Sequence, residues 1–314
     1  MTHSSPPPLS ATRIGAACLL AALLVAAWSL ASGSGGWDLA LVRELRLPRV
    51  LAAAGVGALL ALSGLAMQVV LRNPLADPYV LGTSGGASVG VLLALMAGLS
   101  LWTGAAAGAL ASGFLLLVLA RRALAGGDDA SARLILVGAM LAALSGAMAL
   151  MLLTLTSDAQ LRAAVFWLVG DLSGANDHGI CIGLALVLAG LLAWHARSVD
   201  RLMLGSEAAE LLGEPVRLLR LALVAGGSLA AGAAVAAAGA IGFVGLVVPH
   251  GLRLAGITRT RDQAWMAPLA GSALLMAADT LARTLASPLE LRVGALMALL
   301  GAPLFIVFLI REGR

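Results

Sequence analysis

Apolar residues run along this chain in ten long stretches that are separated by short polar or charged segments. Each stretch approaches the ~20 residues that an α-helix needs to cross the ~30 Å hydrocarbon core of a bilayer. The pattern therefore predicts an all-α polytopic membrane protein with about ten membrane-spanning helices. The eighth stretch is short and rich in glycine, so we expect it to be partly broken or re-entrant. The predicted spans are residues 13–31, 50–71, 79–98, 101–120, 134–156, 179–196, 218–238, 241–255, 265–283 and 293–311.

The amino-terminal segment is polar and rich in proline, which predicts a flexible tail of residues 1–12 ahead of a single transmembrane domain of residues 13–314. A cleaved signal peptide is the alternative for the first 33 residues. The apolar run Ile14–Ala31 is longer than the 7–15 residues typical of a signal-peptide core, which favours a retained first helix.

Composition separates this chain from soluble proteins. Of its 314 residues, 61% are hydrophobic and 11% are charged, whereas a soluble domain has about 45–50% apolar and about 25% charged residues. The mean hydropathy is +1.00. These values exclude a soluble enzyme, a nucleic-acid-binding protein and a disordered chain. We therefore expect the chain to lie in a lipid bilayer and to bind no nucleic acid.

Arginine supplies all 20 positive charges, and lysine is absent. A P-loop nucleotide site requires the lysine of GxxxxGK[ST], so any ATP hydrolysis that drives this protein must come from another chain. If the amino terminus is cytoplasmic and the spans alternate, fourteen arginines lie on the cytoplasmic side and six on the other. The positive-inside rule therefore predicts that both termini are cytoplasmic.

Residues that bind metals or form catalytic sites are sparse. The two cysteines, Cys18 and Cys181, lie in separate apolar runs without a CxxC spacing, and the four histidines form no HExxH motif. We expect no metal site and no enzymatic activity in this chain.

The charged segment 197–220 contains the pattern of a short surface hairpin. Helix-forming residues run from Ser206 to Leu212, Gly213 suits a left-handed helix end, and Pro215 suits the first turn of the next helix. An ordinary solvated loop is the alternative.

Three arginines lie where the topology does not favour them. Arg46 and Arg49 precede a helix that would run from outside to inside, and Arg283 ends a span on the same side. Both the positive-inside rule and the helix dipole oppose positive charge at Arg46 and Arg49, which lie at the start of a helix. Snorkelling to lipid headgroups and pairing with Glu44 and Glu290 are the structural explanations. Asp279 lies four residues before Arg283 on one helix, which predicts an intrahelical ion pair.

Several segments in fixed order resemble one family. They are Arg46-Leu-Pro-Arg49, Val56–Gly64 with Gln68, Arg72-Asn-Pro-Leu-Ala-Asp-Pro78, Leu81–Ala87, Gly239–His250, Asp279 with Arg283, Glu290–Gly294 and Gly301–Phe305. Together they resemble the FecCD family, the permeases of type II ABC importers for iron-siderophores, haem and vitamin B12. The resemblance covers residues 13–314. One departure is Arg292, where the family usually has proline.

The resemblance implies a fold and a set of partners. We expect the type II ABC importer permease fold in the inner membrane, a second copy forming a homodimer, separate ABC ATPase subunits that use ATP-Mg, and a periplasmic substrate-binding protein. No cofactor is expected on this chain. The expected substrate is an iron-siderophore, with haem and vitamin B12 as alternatives. The alternative from a different functional class is an ion-coupled secondary transporter. Such a protein would normally place ionisable residues in mid-membrane, whereas the ionisable residues of this chain cluster at helix ends.

The resemblance also assigns roles to residues. The hairpin of residues 197–220 becomes a coupling loop that contacts the ATPase through Glu207, Ala208, Ala209 and Gly213. Arg46, Arg49 and Arg283 become a docking site for acidic residues of the binding protein, because arginine pairs with carboxylates in a bidentate manner.

A path for a large chelate needs small, weakly binding walls. The small residues near 81–87 and the glycines before Pro249 suit such a path or its gate, and close packing with a proline kink is the alternative. Gln68 could bond another helix or face the cavity. His250 belongs to the general family pattern and does not indicate haem. The predicted path residues are Gln68, Thr83, Ser84, Gly85, Gly242, Gly245 and Pro249.

Overall fold

The computed structural model describes residues 11–33, 38–123, 130–174, 178–287 and 289–312, and every regular element within these ranges is helical. Residues 1–10 of the predicted tail lie outside the described residues. The helices are α1 (Ala11–Ala31), α2 (Leu47–Val70), α3 (Thr83–Met96), α4 (Leu101–Ala123), α5 (Ala130–Leu155), α6 (Asp158–Val169), α7 (His178–Trp194), α8 (Ala196–Met203), α9 (Ser206–Leu211), α10 (Val216–Ala238), α11 (Val244–Leu254), α12 (Thr260–Thr284) and α13 (Val293–Glu312).

Three shorter helical segments precede two of these helices. A helical turn, Leu39–Leu41, and a π-helical turn, Val42–Arg46, run directly into α2, so the helical segment begins well before the predicted residue 50. A 3₁₀ turn, Pro78–Leu81, precedes α3, and Gly82 between them has a φ of 79°, which a glycine adopts without strain.

Six of the described helices are long and apolar enough to cross a membrane, counting Leu39–Val70 as one. A seventh span is possible if α7 and α8, which are bent by 67° relative to each other, are taken together. The shorter apolar helices are α3, α11 and the first fifteen residues of α13. Length and composition thus support a polytopic membrane protein, while the number ten stays a prediction.

Helix α2 is the centre of the bundle, and nearly all of its residues are buried. Glycines on α2 allow neighbouring backbones to approach it. A β-carbon at Gly57 would lie 2.3 Å from the carbonyl oxygen of Gly271 in α12, and one at Gly64 would lie 1.8 Å from that of Gly245 in α11. Small residues allow such close packing between helices in lipid, and any larger residue would separate these helices.

The helical conformation is interrupted between α10 and α11, over residues 239–243. Gly239 and Phe243 both have a φ of 69°. At Phe243 this is the left-handed helical conformation, which is rare for a phenylalanine. Helix α11 has only 11 residues. The expectation that the eighth apolar stretch is short and broken therefore agrees with the structure, and the break lies ahead of the helix.

Candidate functional site

Helices α8 and α9 form a tight hairpin that leads into α10. We refer to residues 196–215 as the hairpin, in place of the longer predicted segment 197–220. Gly205, with a φ of 123°, makes the turn between the two helices. Gly213, with a φ of 80°, ends α9. There the amide of Gly213 donates to the carbonyl of Glu210 (2.9 Å) and that of Glu214 donates to Ala209 (3.0 Å), which is a Schellman motif. The predicted helix and its glycine stop are thus confirmed.

Ser206, the first residue of α9, joins the hairpin to two long helices. Its hydroxyl accepts a hydrogen bond from Arg72 at the end of α2 (2.7 Å) and another from Arg220 of α10 (2.8 Å). Arg72 has a φ of 46°, so its backbone adopts a strained conformation at the point where its side chain reaches the hairpin. The position of α9 is therefore tied to the ends of α2 and α10.

A second set of contacts closes the hairpin on itself. Arg201 donates to the carboxylate of Glu214 (2.6 Å). Hydrogen bonds from Ser198 and Arg201 lower the pKa of Glu214 below its ordinary value. The carboxylate therefore keeps its charge at neutral pH and holds α8 against the chain that follows α9.

The four predicted coupling residues lie on α9 and its end. Ala209 is fully buried against the hairpin, Ala208 is half-buried, and Glu207 and Gly213 are exposed. Leu211 beside them is 89% exposed, and Leu212 is 54% exposed. Leu211 and Leu212 therefore give the outer side of α9 and its end a small apolar surface.

The three predicted docking arginines lie at the end of the bundle opposite the hairpin, where α2 begins and α12 ends. Arg49 donates to both carboxylate oxygens of Asp279 (3.0 and 3.1 Å) and to Glu290 (2.8 Å). Arg283 forms the expected intrahelical pair with Asp279 (3.2 Å) and donates to the hydroxyl of Ser29 (2.9 Å). The pairing of an arginine with Glu290 is therefore observed.

These arginines surround one cavity of about 360 Å³. Arg46 is 5% exposed and donates to the carbonyl of Leu30 (3.1 Å), and Arg283 is 8% exposed. Three guanidinium groups face two carboxylates, those of Asp279 and Glu290. We refer to these five residues as the arginine cluster. It carries an excess of one positive charge, which suits an acidic partner.

The arginine cluster and the hairpin lie at opposite ends of the bundle. Arg49 is in the first turn of α2, and Arg72 follows its last turn. The 24 residues of α2 separate these ends by about 36 Å, at 1.5 Å per residue. This distance is close to the thickness of a bilayer core with its interfaces.

Between α2 and α3 the chain folds back into the bundle. Pro78 lies against Gly245, at the level of Leu60 in α2. A carboxylate oxygen of Asp77 accepts from the amide of Tyr79 (2.7 Å), and Asp77 also accepts from the amide of Phe243. The Tyr79 hydroxyl donates to the carbonyl of Ile241 (3.1 Å) and accepts from its amide (3.2 Å). Side chains of residues 77–79 thus hold the break between α10 and α11.

The predicted path residues fall into two groups in the structure. Gln68 and Gly245 meet where α2 crosses α11, with the Gln68 amide 3.4 Å from the Gly245 carbonyl, and Pro249 is buried in α11. Thr83, Ser84 and Gly85 begin α3, where a β-carbon on Gly85 would lie 2.7 Å from that of Ser145 in α5.

Close packing between helices explains two of the predicted path residues, Gly85 and Gly245. Gly245 and Gly85 are required for close approach of their neighbours, whereas a β-carbon at Gly242 would meet nothing within 4 Å. The hydroxyl of Thr83 and the amide oxygen of Gln68 are buried without a hydrogen-bond partner among the described residues. Their role in a path or gate stays a prediction.

Arg292 connects α13 to the end of α6. It forms an ion pair with Asp171 and lies 4.2 Å from the centre of the Phe166 ring. Asp171 also accepts from the amide of Ser173 (3.0 Å). Arg292 therefore ties the start of the last helix to the segment after α6.

The contacts of Ser206, Asp77, Tyr79 and Phe243 were not predicted from the sequence. Arg72 and Asp77 belong to the segment Arg72–Pro78, but their partners Ser206 and Phe243 are distant in sequence. Their roles become visible only when the hairpin and the break after α10 are placed beside that segment.

Comparison with known proteins gives consistent matches over nearly the whole chain. The model of the FecCD transport family matches residues 9–311. The hemin transport system permease protein HmuU of Yersinia pestis is 39% identical over 301 residues, covering 91% of this chain and 87% of that protein. The vitamin B12 import system permease protein BtuC of Vibrio cholerae is 39% identical over 305 residues, covering 94% and 90%.

Solved structures agree with this result. A structure described as an inward-facing conformation of a metal-chelate type ABC transporter matches with a TM-score of 0.87 at 29% identity, covering 96% of this chain and 99% of that one. PsaBC from Streptococcus pneumoniae matches in fold alone, with a TM-score of 0.56 at 15% identity.

Proposed function

Because the chain belongs to the FecCD transport family, and is therefore a permease of the metal-chelate, haem and vitamin B12 class of ABC importer, we propose that it imports a metal chelate from periplasm to cytoplasm between two identical copies. It is an integral protein of the inner membrane, and ATP is hydrolysed by a separate subunit. In this proposal the hairpin and both termini are cytoplasmic, the arginine cluster is periplasmic, and the chain itself binds no cofactor.

The hairpin is the observation that carries the proposal. A permease driven by another subunit needs a rigid element that can be pushed without first becoming ordered, because ordering would consume part of the interaction energy. Helix α9 is stopped by Gly213, held by Ser206 and presents the exposed Leu211. These features support Glu207, Ala208, Ala209 and Gly213 as the centre of the contact with the ATPase.

The substrate follows from the relatives only as a class. Iron-siderophore is the substrate suggested by the breadth of the family, whereas the two relatives described above are named for hemin and vitamin B12 and match this chain equally well. Both of these are ring chelates of a metal. We therefore place haem and vitamin B12 ahead of an iron-siderophore.

Uptake into proteoliposomes tests the function. Vesicles would contain this chain with its ATPase, with the loaded binding protein outside and ATP inside. Labelled haem, vitamin B12 and an iron-siderophore would be offered separately. We expect one of the three to accumulate, and only with ATP. Uptake that persists without ATP and collapses with the ion gradient would instead indicate a secondary transporter.

The arginine cluster gives a separate prediction for the binding protein. Glu290 is 48% exposed, and its carboxylate partly neutralises the positive charge of Arg49. Glu290→Gln should therefore raise the local positive potential and tighten the association of the binding protein about fivefold. Charge reversal at Arg49 should weaken association while assembly with the ATPase is retained, and the retained assembly would show that loss of the buried pair with Asp279 has not unfolded the chain. Surface plasmon resonance with the permease in nanodiscs would measure both effects.

Glu44→Gln is the matched control for the Glu290 variant. Glu44 is exposed on the same end of the molecule, so its replacement changes the net charge equally without freeing Arg49. Equal affinities for the two glutamine variants would contradict docking at the arginine cluster.

A further inference from the structure

A groove runs along the outer side of α10. It encloses about 590 Å³, and its buried side is formed by Leu62 and Ala66 of α2. One edge is formed by α7 and the beginning of α8, the other by α10 itself. A second apolar cavity of about 540 Å³ continues it between α4 and α7, and Ala225 borders both. The volume lies within the range of ligand-binding sites, about 300–1,000 Å³.

The groove exists because α10 presents small side chains there. Ala222, Ala225 and Gly226 leave the gap between α10 and α7 unfilled. At its edges Leu191 is 53% exposed and Leu218 is 66% exposed. The groove is therefore apolar inside and apolar around its opening, as expected of a surface that faces acyl chains.

The groove ends at the hairpin in a mouth that carries both signs of charge. A neighbouring cavity of about 600 Å³ shares Glu214 and Pro215 with it and is lined by Arg121, Arg217 and Glu210. Arg217 donates to the carbonyl of Arg121 (3.4 Å), which holds the two arginines together.

One carboxylate of the mouth already has a cationic partner. Glu214 accepts from Arg201. The mouth therefore presents two guanidinium groups, from Arg121 and Arg217, and the carboxylate of Glu210. This arrangement complements a headgroup that combines a phosphate with an ammonium group.

The length of the groove matches one leaflet. Its lining residues on the α10 side run from Pro215 to Gly227. At 1.5 Å per residue these twelve steps extend about 18 Å, close to half of the ~30 Å hydrocarbon core. An acyl chain whose headgroup lies at the hairpin would therefore reach the middle of the membrane.

We propose that this groove is a specific binding site for one phosphatidylethanolamine molecule from the leaflet on the hairpin side. An acyl chain lies against Ala222 and Ala225, the phosphate contacts Arg121 and Arg217, and the primary ammonium group contacts Glu210. The lipid braces α10, the helix whose Arg220 holds Ser206. The site stands on the geometry of the groove and does not depend on which substrate is imported.

Lipid retention tests this site. The purified chain, in nanodiscs containing equal amounts of phosphatidylethanolamine, phosphatidylcholine and phosphatidylglycerol, would be released and analysed by native mass spectrometry. We expect about one retained phosphatidylethanolamine per chain, at least fivefold above each of the others. Phosphatidylcholine has no N–H to donate to Glu210, and phosphatidylglycerol has no cation.

Three variants separate the site from general lipid contact. The double variant Arg121→Ala with Arg217→Ala, and Glu210→Gln, should each lower retention at least fivefold. Ala225→Phe fills the groove and should do the same with the charges intact. Arg122→Ala is the matched control, because Arg122 is the exposed neighbour of Arg121 outside the lining, and it should leave retention unchanged.

Two results would overturn the proposal. One is equal retention of the three lipids by the unmodified chain. The other is a dimer that dissociates on Ala225→Phe while lipid retention stays the same, which would assign the groove to a second copy of the chain. Circular dichroism of each variant would confirm that it is folded before retention is compared.

Discussion

Replacement of Asp279 by alanine is expected to lower the melting temperature of the purified protein by about 10 °C. Asp279 is 1% exposed and is the shared acceptor of Arg49 and Arg283, both of which are themselves mostly buried. Removing one partner of a buried ion pair costs about 3–5 kcal/mol, because the remaining charges stay buried without compensation. Each kcal/mol corresponds to roughly 2–4 °C in chains of about 150–250 residues, the size range nearest to this chain.

Glu290→Ala supplies the control for this experiment. Glu290 pairs with the same Arg49 but is 48% exposed, and solvent-exposed ion pairs contribute at most about 1 kcal/mol. Differential scanning fluorimetry of the two variants in the same detergent would compare them. If Asp279→Ala melts within 2–3 °C of Glu290→Ala, roughly 1 kcal/mol, the arginine cluster does not stabilise the fold as the structure implies.

Ser206→Ala is expected to lower the amount of substrate transported per ATP hydrolysed at least tenfold. The hydroxyl is the common acceptor for Arg72 and Arg220. A hydrogen bond to a charged group contributes about 1.5–3 kcal/mol, and 1.4 kcal/mol is a factor of ten. Loss of both bonds should therefore leave α9 able to bind the ATPase but poorly connected to α2 and α10.

Two further variants distinguish this coupling role from a general structural one. Ser206→Thr retains the hydroxyl and should restore most of the transport per ATP. Ser198→Ala removes another hydroxyl of the same hairpin, one that serves Glu214 instead of the two arginines, and should have a smaller effect. Uptake and phosphate release would be measured in the same proteoliposomes. Equal ratios for the alanine and threonine variants at Ser206 would contradict the role.

The sequence predicted those elements whose signal is local. The apolar stretches matched helices such as α4 and α5, because the length of a span follows from the thickness of the bilayer. Gly213 could be recognised as a helix stop because its left-handed conformation is a property of the residue itself. The pairing of Asp279 with Arg283 followed from their spacing of four residues on one helix.

Other elements were missed for physical reasons. Helix α6 was not predicted, since it has 12 residues and is too short to be a span. Ser157 before it, Asp158 in its first turn and Gly170 after it are end signals that could have indicated a helix. The link from Arg72 to Ser206 crosses 134 positions and depends on how three helices pack. No local pattern records such a contact.

The close approach of glycines on α2 limits how this protein can change shape. Because Gly57 meets Gly271 and Gly64 meets Gly245 through backbone atoms, α2, α11 and α12 cannot slide past one another without clashes in a closely packed interior. They should move as one rigid body between any two conformations. We expect the bending where the backbone turns sharply beside this group, at Gly239 and Phe243 between α10 and α11. The hinge of this protein would accordingly lie at the margin of its most tightly packed helices. Crosslinks placed within that group of three should leave transport intact, whereas a crosslink that spans residues 239–243 should stop it.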